Sequence, residues 1–368
     1  MKILIIGFTK LKYMPYMNLY LDNIDKNKND VHILYWNRDL KDEDTKKFSN
    51  ITLKEFKCYQ EDDVSKIKKI SSFIKYRKFA KNVLKTENYD FIIVLHSLTG
   101  ILIYDKLKRY KNRFIFDYRD STYEKVNLFR RKVCNLVKYS KVTFVSSDGF
   151  RVFFPKNYQS KIYTSHNILM DSLKNREQYK IKTKSEKIRI SFWGFIRHEE
   201  INKEIIKKIS NDNRFELHYY GREQQVAISL KEYANKINAT NVFFHGEYKP
   251  NDRYEFAKNT DIIHNIYDDS NTKLSMGNKF YDGIIFYLPQ LCMEDTFMAK
   301  QVKNKNIGLV INPYDAYFTE RIYSYFKKID IEEFIINCNK ETIRVIREYN
   351  FDIEIIRKML GENGNELQ

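Results

Sequence analysis

Short apolar runs alternate with amphipathic stretches along the first half of the chain. Two amphipathic stretches, 64–84 and 123–139, repeat apolar residues at helical spacing. Runs that are apolar throughout and alternate with helices predict parallel β/α units, with helices covering both faces of a sheet. The predicted strands are 2–7, 31–36, 91–95, 114–117 and 142–146.

The same alternation begins again near residue 188 and predicts a second domain of the same kind. Its predicted strands are 188–193, 215–220, 242–245, 261–266 and 308–311, and its predicted helices are 201–210, 229–237 and 252–258. We therefore predict an α/β protein with two Rossmann-like domains that face each other across a cleft, where ligands bind at the carboxyl ends of the strands. The predicted division is a first domain at 1–170, a polar linker at 171–187, a second domain at 188–331 and a helical tail at 332–368.

Charge is distributed unevenly between the two predicted domains. The net charge is +17, and residues 1–170 contain 34 Lys and Arg against 18 Asp and Glu, whereas residues 171–368 contain 31 against 30. A compositional bias toward lysine would affect both halves equally. The asymmetry therefore predicts that the first domain faces an anionic partner, such as membrane headgroups, a lipid diphosphate or nucleic acid.

One basic stretch, 66–85, interleaves cations with apolar residues at helical spacing. A helix of this composition can lie on an anionic membrane surface, and it can also be an ordinary helix with a solvated face. Two further basic segments, 106–113 and 129–132, extend the pattern. The cations that we expect to contact the membrane are Lys66, Lys68, Lys69, Lys75, Arg77 and Lys78.

Cysteine usage and hydropathy predict a protein of the reducing cytoplasm. The four cysteines, Cys58, Cys134, Cys292 and Cys338, are scattered without the spacing of a metal site. The apolar run at the N-terminus is too short for a signal peptide, and the longest apolar region, 91–104, is too short to span a bilayer. We expect a cytoplasmic protein, with peripheral attachment to the inner face of the cell membrane as a hypothesis.

The segment 278–289, with the sequence NKFYDGIIFYLP, contains the most specific motif of the chain. It resembles a signature in the C-terminal domain of GT-B glycosyltransferases, such as family 4 and the capsular polysaccharide enzymes. The resemblance implies that Asp282 accepts hydrogen bonds from the ribose of the donor and that Asn278 and Lys279 lie beside its diphosphate. Independently of the family, backbone N–H groups at a helix start attract phosphate. The alternative is an amphipathic core helix with one exposed acid.

Other parts of the second half resemble the same family. In SFWGFIR at 191–197, the resemblance places Gly194 against the diphosphate, where a glycine allows close approach of the backbone. It makes Arg197 the cation that neutralises the phosphates, with Lys203 as the second choice. Gly221 and Gly246 match strand ends beside the nucleobase in the family.

The end of the predicted strand 261–266 is expected to face the donor sugar. The resemblance makes Asn265 and Tyr267 candidates for sugar contacts. Leu274 departs from the family, because many retaining members carry a glutamate there, and Asp268 or Asp269 is a possible substitute.

In the first half, two predicted strand ends resemble the acceptor domain of the family. They provide His96 and the sequence Asp117-Tyr-Arg119-Asp120. The resemblance implies that Asp120 acts as general base or orients the acceptor, that His96 lies near the reacting hydroxyl, and that Arg119 binds a phosphate. The alternative is a salt-bridged loop of Asp117, Arg119 and Asp120.

These observations predict a bacterial glycosyltransferase that needs no metal or cofactor. It would transfer a sugar from a nucleotide-sugar donor, with UDP as the commonest carrier in the family, to a polyprenyl-diphosphate-linked or glycan acceptor in capsule or O-antigen synthesis. A non-hydrolysing nucleotide-sugar epimerase shares the fold, and the missing glutamate at Leu274 keeps a catalytically silent partner open. A nucleic-acid-binding protein is a further alternative, but the chain shows no helix-turn-helix, zinc or RNP motif, so no nucleic acid is expected.

Overall fold

The computed structural model describes residues 1–60, 64–180, 186–267 and 272–360. The chain forms two compact units, one comprising Met1–His166 with the C-terminal segment from Glu348, and the other comprising Asn167–Arg347. The sequence predicted a separate helical tail at 332–368, whereas in the structure the last helix contributes residues to both units. No helix in the described ranges is long and apolar enough to cross a membrane.

The first unit is built on a seven-stranded parallel sheet with the order β3-β2-β1-β4-β5-β6-β7. Its strands are β1 (Lys2–Ile6), β2 (Asp30–Asn37), β3 (Thr52–Lys57), β4 (Phe91–Leu95), β5 (Phe114–Tyr118), β6 (Val142–Val145) and β7 (Ile162–Thr164), and its helices are α1 (Asn18–Leu21), α2 (Lys66–Thr86), α3 (Ser97–Leu102), α4 (Tyr104–Leu107) and α5 (Asn127–Tyr139). All five predicted strands are present. The two edge strands β3 and β7 were not predicted, because β3 is largely polar and β7 has only three residues.

The second unit has a six-stranded parallel sheet with the order β10-β9-β8-β11-β12-β13. Its strands are β8 (Ile188–Trp193), β9 (Phe215–Tyr220), β10 (Val242–Phe244), β11 (Ile262–Asn265), β12 (Gln290–Met293) and β13 (Gly308–Ile311), and its helices are α6 (Glu199–Ile209), α7 (Gln225–Lys236), α8 (Arg253–Lys258), α9 (Asn278–Ile285), α10 (Phe297–Asn304), α11 (Phe318–Lys328) and α12 (Ile331–Leu360). When the strands of each sheet are numbered from one in chain order, the first six lie in the order 3-2-1-4-5-6, which is the Rossmann arrangement. The predicted fold class of two Rossmann-like domains is confirmed.

The segment predicted as a linker is tied to the second unit where the structure describes it. Arg176 donates to the side chain of Asn339 at 2.8 Å and to the carbonyl of Ile284 at 2.7 Å. Its guanidinium also lies 4.5 Å from the ring centroid of Tyr287. Arg176 therefore ties this segment to α9 and α12, whereas 181–185 lie outside the described residues.

The C-terminal part of α12 completes the core of the first unit. Ile356 and Leu360 are buried with side chains of β1 and β2 such as Ile3 and Ile33. Asp352 is buried on the same part of the helix, with 1% of its surface exposed. Burial raises the pKa of Asp352 to about 8, with the charge of Arg119 acting in the opposite direction. At neutral pH this carboxyl is therefore mostly protonated in the folded protein.

Replacing Asp352 by Asn tests this assignment through the pH dependence of stability. Between about pH 4 and pH 8 the folded protein binds one more proton at this residue than the unfolded chain, so its contribution to stability falls as pH rises. The unfolding free energy of Asp352→Asn relative to wild type should therefore increase by roughly 1–3 kcal/mol from about pH 5 to pH 7. Denaturant unfolding measures it, and Glu354→Gln, at an exposed acid of the same helix, is the control. A difference that does not vary with pH would contradict the assignment.

Candidate functional site

The acid of the NKFYDG motif is buried and paired with a cation. Asp282 lies in α9 with 5% of its surface exposed, which excludes the alternative of an exposed acid. Arg253, at the start of α8, places Nη1 at 3.1 Å and 3.4 Å from the two carboxylate oxygens. Burial raises the pKa of Asp282, and the charges of Arg253 and Lys279 oppose that effect. Arg253 therefore holds the carboxylate in place, while Lys279 acts on it through its charge.

Lys279 lies at the start of α9 in an unusual environment for an ammonium group. Its Nζ donates to the hydroxyl of Tyr267 at 2.5 Å and lies 4.0 Å from the ring centroid of Phe192. Burial, followed by the charge of Arg197, lowers the pKa of Lys279 to about 7. A phosphate beside this amine would favour its charged form and raise the pKa again. The position is thus suited to an anion that arrives and leaves.

Two glycines bring the backbone of neighbouring strand ends together. Gly194 follows β8 with φ +116, and a Cβ at this residue would lie 3.8 Å from Nζ of Lys279 and 4.0 Å from the hydroxyl of Tyr248. Gly221 follows β9, and a Cβ there would lie 2.1 Å from the carbonyl oxygen of Gly194, so a side chain does not fit. The N–H of Gly221 donates to the carbonyl of Gly246 at 2.9 Å. The predicted residues Gly194, Gly221 and Gly246 are therefore neighbours at adjacent strand ends, and Gly194 lies beside Lys279.

A buried asparagine fixes the turn that carries Arg197. The side-chain nitrogen of Asn202, on α6, donates to the carbonyls of Arg197 and His198 at 2.9 Å and 3.0 Å. Its side-chain oxygen contacts the hydroxyl of Tyr219 at 2.9 Å and Nε2 of His264 at 3.2 Å. These contacts hold His198 in the left-handed conformation, at φ 64 and ψ 64, from which α6 begins.

The tautomer of His264 follows from its second contact. Its Nδ1 accepts the N–H of Ile266 at 3.0 Å, so Nε2 carries the hydrogen that is donated to Asn202. Burial, together with the charges of Lys279 and His198, lowers the pKa of His264 to about 3. The imidazole is therefore a neutral structural donor.

Arg197 itself is exposed, with its guanidinium 5.0 Å from the ring centroid of Phe195. Lys203 is placed differently, because its ammonium pairs with Glu199 at 2.6 Å and with Glu200 at 3.5 Å on its own helix. Of the two predicted cations, Arg197 is the one whose charge lowers the pKa of Lys279.

The strand end at Asn265 presents an unused acceptor. Asn265 is buried and donates to the side-chain oxygen of Gln290 at 2.9 Å. Its own side-chain oxygen has no hydrogen-bond partner among the residues that the structure describes. Of the remaining predicted positions, Asn278 is exposed at the first residue of α9, Leu274 is partly exposed, and Asp268 and Asp269 lie outside the described residues.

In the first unit, His96 and Asp120 lie together at the ends of β4 and β5. Nδ1 of His96 accepts the N–H of Leu98 at 3.2 Å, which leaves the hydrogen on Nε2. That Nε2 is 3.9 Å from a carboxylate oxygen of Asp120, whose side chain is 71% exposed. Burial lowers the pKa of His96. The carboxylate of Asp120 is therefore accessible from solvent, and His96 lies beside it as a neutral imidazole.

Arg119 does not have the position that the sequence predicted for a phosphate ligand. Its side chain is 4% exposed and pairs with Asp117, with Nε at 2.6 Å and Nη2 at 2.7 Å from the carboxylate. Tyr20 donates to the same carboxylate at 2.8 Å, and Nη2 also contacts the hydroxyl of Ser165 at 3.2 Å. The salt-bridged alternative is therefore correct for Asp117 and Arg119, because strand β5 ends inside the core, whereas Asp120 points to solvent.

Sequence reasoning missed four residues of the site in the second unit: Arg253, Tyr248, Asn202 and His264. Asn202 had a readable signal, since it is a polar residue on the apolar face of α6 beside Ile201 and Ile205. Arg253 is one of many exposed-looking cations in the sequence, so only the packing of α8 against α9 distinguishes it.

Removing the side chain of Asn202 tests its role in holding the turn. We expect Asn202→Ala to lower the unfolding free energy by about 2–4 kcal/mol, because Tyr219, His264 and two carbonyls lose their partner in a buried place. Asn235→Ala, at an exposed position of α7, is the matched control and should change stability little. Equal stability of the two variants in denaturant unfolding would refute the network.

Comparison with known proteins identifies relatives by structure only. No protein-family model matches the chain, and a search of curated proteins found no match. Among solved structures, sucrose-phosphate synthase from Thermosynechococcus elongatus matches with a TM-score of 0.70 at 11% identity, covering 98% of this chain and 97% of that one. HepE from Anabaena, solved with UDP and glucose, matches with a TM-score of 0.64 at 13% identity over 100% of both chains. The lipopolysaccharide outer core galactosyltransferase WaaB matches with a TM-score of 0.64 at 11% identity, covering 96% and 99%.

Identities this low establish the fold and leave assignment to family 4 a prediction. The matches extend over nearly the whole of each chain. Both parallel sheets of this chain have the Rossmann strand order. The chain therefore has the GT-B fold of two Rossmann-like domains.

Proposed function

We propose that this protein is a glycosyltransferase that moves a sugar from a nucleotide-sugar donor to a hydroxyl group of an acceptor. The observation that carries the proposal is the arrangement at the start of α9, where Lys279, Tyr267 and the backbone at Gly194 meet beside the buried Asp282. Similar structures support it, since HepE is described with UDP and glucose and WaaB is named a galactosyltransferase. UDP is the first carrier to test.

In the proposed donor site, the chain's own cations stabilise the leaving group without a bound metal or cofactor. The bond between the anomeric carbon and the diphosphate oxygen breaks, and negative charge develops on the departing nucleoside diphosphate. Lys279, Arg197 and the N–H groups at the start of α9 would bind that charge. Because the pKa of Lys279 is about 7, an arriving diphosphate would complete the protonation of the amine.

Asp282 and Asn265 are proposed to position the donor. Asp282 would accept hydrogen bonds from the ribose, and its link to Arg253 keeps the carboxylate oriented before the donor binds. The unpaired oxygen of Asn265 would accept a hydroxyl of the sugar, which would satisfy a buried group that otherwise has no partner in the described residues.

In the first unit, Asp120 is proposed to take the proton from the acceptor hydroxyl as its oxygen attacks the anomeric carbon. The exposed carboxylate is accessible to an acceptor, whereas the lone pair on Nδ1 of His96 is already used by Leu98. The Nε2–H of His96 faces the carboxylate of Asp120 at 3.9 Å, which is beyond hydrogen-bond distance, so His96 would act as a neutral neighbour of the base.

The acceptor is proposed to be lipid-linked or a glycan, in the synthesis of a bacterial surface polysaccharide. The basic first domain, including Lys68, Lys75 and Lys78 on α2, would then attach the protein to the inner face of the cell membrane.

The donor site is tested by thermal unfolding with UDP, GDP, CMP, ADP and dTDP. A nucleotide at about a hundred times its Kd should stabilise the wild type by about 2.7 kcal/mol, which is several degrees in Tm for domains of this size. Asp282→Asn should lose most of this shift, because the neutral amide is a weaker acceptor for the ribose. Asp295→Asn, an exposed acid with φ 57, where asparagine is tolerated, should retain it. If no nucleotide stabilises the wild type, or if Asp282→Asn keeps the full shift, the proposed site is wrong.

The base is tested by nucleoside diphosphate release from the donor that the screen identifies, in the presence of a bacterial lipid extract as the acceptor source. Asp120→Asn should slow release by about 10²–10⁴-fold, the usual contribution of a general base, without changing the nucleotide-induced shift in Tm. His96→Gln should slow it less, since the carboxylate remains. Asp22→Asn, at an exposed acid of the same unit, is the control. A larger loss for His96→Gln than for Asp120→Asn would assign the base to His96 instead.

A further inference from the structure

A cavity of about 470 Å³ lies on the second unit beside helix α10. Three lysines line it, Lys273 from the loop before α9 and Lys300 and Lys303 from α10 itself. We call it the lysine cavity. Among the described residues of its lining, Asp295 is the only acid, so ammonium groups outnumber carboxylates by three to one. Apolar side chains form much of the remaining wall, among them those of Leu274, Phe297 and Val310.

The three lysines are available to an anion. All three are exposed, and within the part of the chain that the structure describes none of their ammonium groups pairs with a carboxylate. Lys305, directly after α10, differs, because its ammonium lies 3.2 Å from a carboxylate oxygen of Glu341. Lysines that surround one cavity repel one another, and an anion bound between them would relieve that repulsion.

Backbone contacts join the two segments that carry these lysines. The carbonyl of Lys273 accepts the N–H of Phe297 at 2.8 Å, which ties the loop before α9 to the first turn of α10. The side chain of Thr296 accepts the N–H of Ala299 at 3.1 Å and so caps the same helix. The loop and the helix therefore hold the lysines in one arrangement, which lowers the cost of ordering them when a ligand binds.

Strand register places the lysine cavity near the proposed sugar position. Asn265 on β11 pairs with Cys292 on β12, and Cys292 pairs with Val310 on β13. Neighbouring strands are about 4.8 Å apart, so the backbones of Asn265 and Val310 are separated by roughly 10 Å. Residues in one row of a parallel sheet project to the same face. The cavity wall at Val310 and the acceptor oxygen of Asn265, which has no partner in the described residues, therefore share a face of the sheet.

We infer that the lysine cavity binds the carboxylate of the donor sugar, so that the donor is a nucleotide-activated uronic acid. This inference rests on the proposed sugar transfer and names its substrate class. Asn265 would accept a hydroxyl of the sugar ring, and the carboxylate at C6 would accept charge-assisted hydrogen bonds from the lysines. Leu274 and Phe297 would contact the C–H groups of the ring.

The lining favours a sugar acid over other ligands. A free inorganic anion would satisfy the lysines but would leave the apolar wall at Leu274 and Phe297 without a contact. A neutral hexose would leave the ammonium groups without a counter-charge. A nucleic-acid strand needs cations that follow its backbone along a groove, whereas these three lysines surround one cavity.

Calorimetric titration of the full chain with UDP, UDP-glucose and UDP-glucuronic acid tests the inference. The two sugars differ only at C6, where a carboxylate replaces a hydroxymethyl group. We expect wild type to bind UDP-glucuronic acid with a Kd about tenfold or more below that for UDP-glucose, because hydrogen bonds to a charged group contribute at least this much. The double variant Lys300→Gln, Lys303→Gln should lose most of this preference and keep the wild-type Kd for UDP.

The matched control removes two lysines from the opposite edge of the same sheet. Lys207 and Lys236 are exposed in the last turns of α6 and α7, the helices that precede the starts of β9 and β10. The double variant Lys207→Gln, Lys236→Gln changes the net charge equally and should keep the preference for UDP-glucuronic acid. If both double variants lose it equally, the preference is a general effect of charge and the inference is wrong.

Two further outcomes would overturn the inference. One is an equal Kd of wild type for UDP-glucose and UDP-glucuronic acid, and the other is an unchanged preference in Lys300→Gln, Lys303→Gln. Free glucuronate is titrated as well. If it binds through the same lysines while UDP-glucuronic acid binds no more tightly than UDP, the cavity holds a separate acidic ligand and the donor assignment falls.

The same titrations separate this inference from the proposed transfer. Binding of UDP that depends on Asp282, without a preference for the sugar acid, refutes the uronic acid alone. Absence of binding by all three uridine compounds refutes the proposed donor site, and the inference falls with it.

Discussion

The buried carboxylate of Asp282 is the constraint on which the second domain's site depends. A charged group with so little exposure is tolerated only beside opposite charge, and Arg253 supplies it from α8 while Lys279 supplies it from the preceding turn of α9. Holding Lys279 there in turn requires the hydroxyl of Tyr267 and the ring face of Phe192. One buried acid therefore fixes the relative placement of two helices and the end of β11.

Parallel sheets explain why the candidate residues collect where they do. In each unit the carboxyl ends of all strands meet at one edge, so glycines after β8, β9 and β10 become neighbours although they are far apart in sequence. The same rule brings His96 and Asp120 together in the first unit. Chains that share only 11–13% identity with this one have the same fold, because the fold depends on the pattern of buried strands rather than on particular side chains.

Within residues 117–120 of the first unit, Asp117 and Arg119 are buried whereas Asp120 is exposed. Asp117 and Arg119 form a buried pair that also engages Tyr20 and Ser165, and Asp352 from the last helix packs nearby. Asp120, one residue beyond the pair, is exposed beside the neutral His96. The buried pair fixes the backbone directly before the exposed acid.

The sequence by itself determined the fold class, since apolar runs with helical stretches between them have a parallel β/α arrangement as their stable solution. The resemblance of residues 191–197 and 278–289 to GT-B signatures also grouped Gly194, Lys279 and Asp282 in one predicted site. Only the tertiary structure decided which similar residues take part. Arg119 and Lys203 look as available in the sequence as Arg197, yet both are neutralised, by Asp117 and Glu199 respectively. The strands β3, β7 and β12 were equally unreadable, because a strand of few or polar residues is stabilised by its neighbours in the sheet and not by its own pattern. Burial and pairing are properties of the packed chain, and local sequence does not contain them.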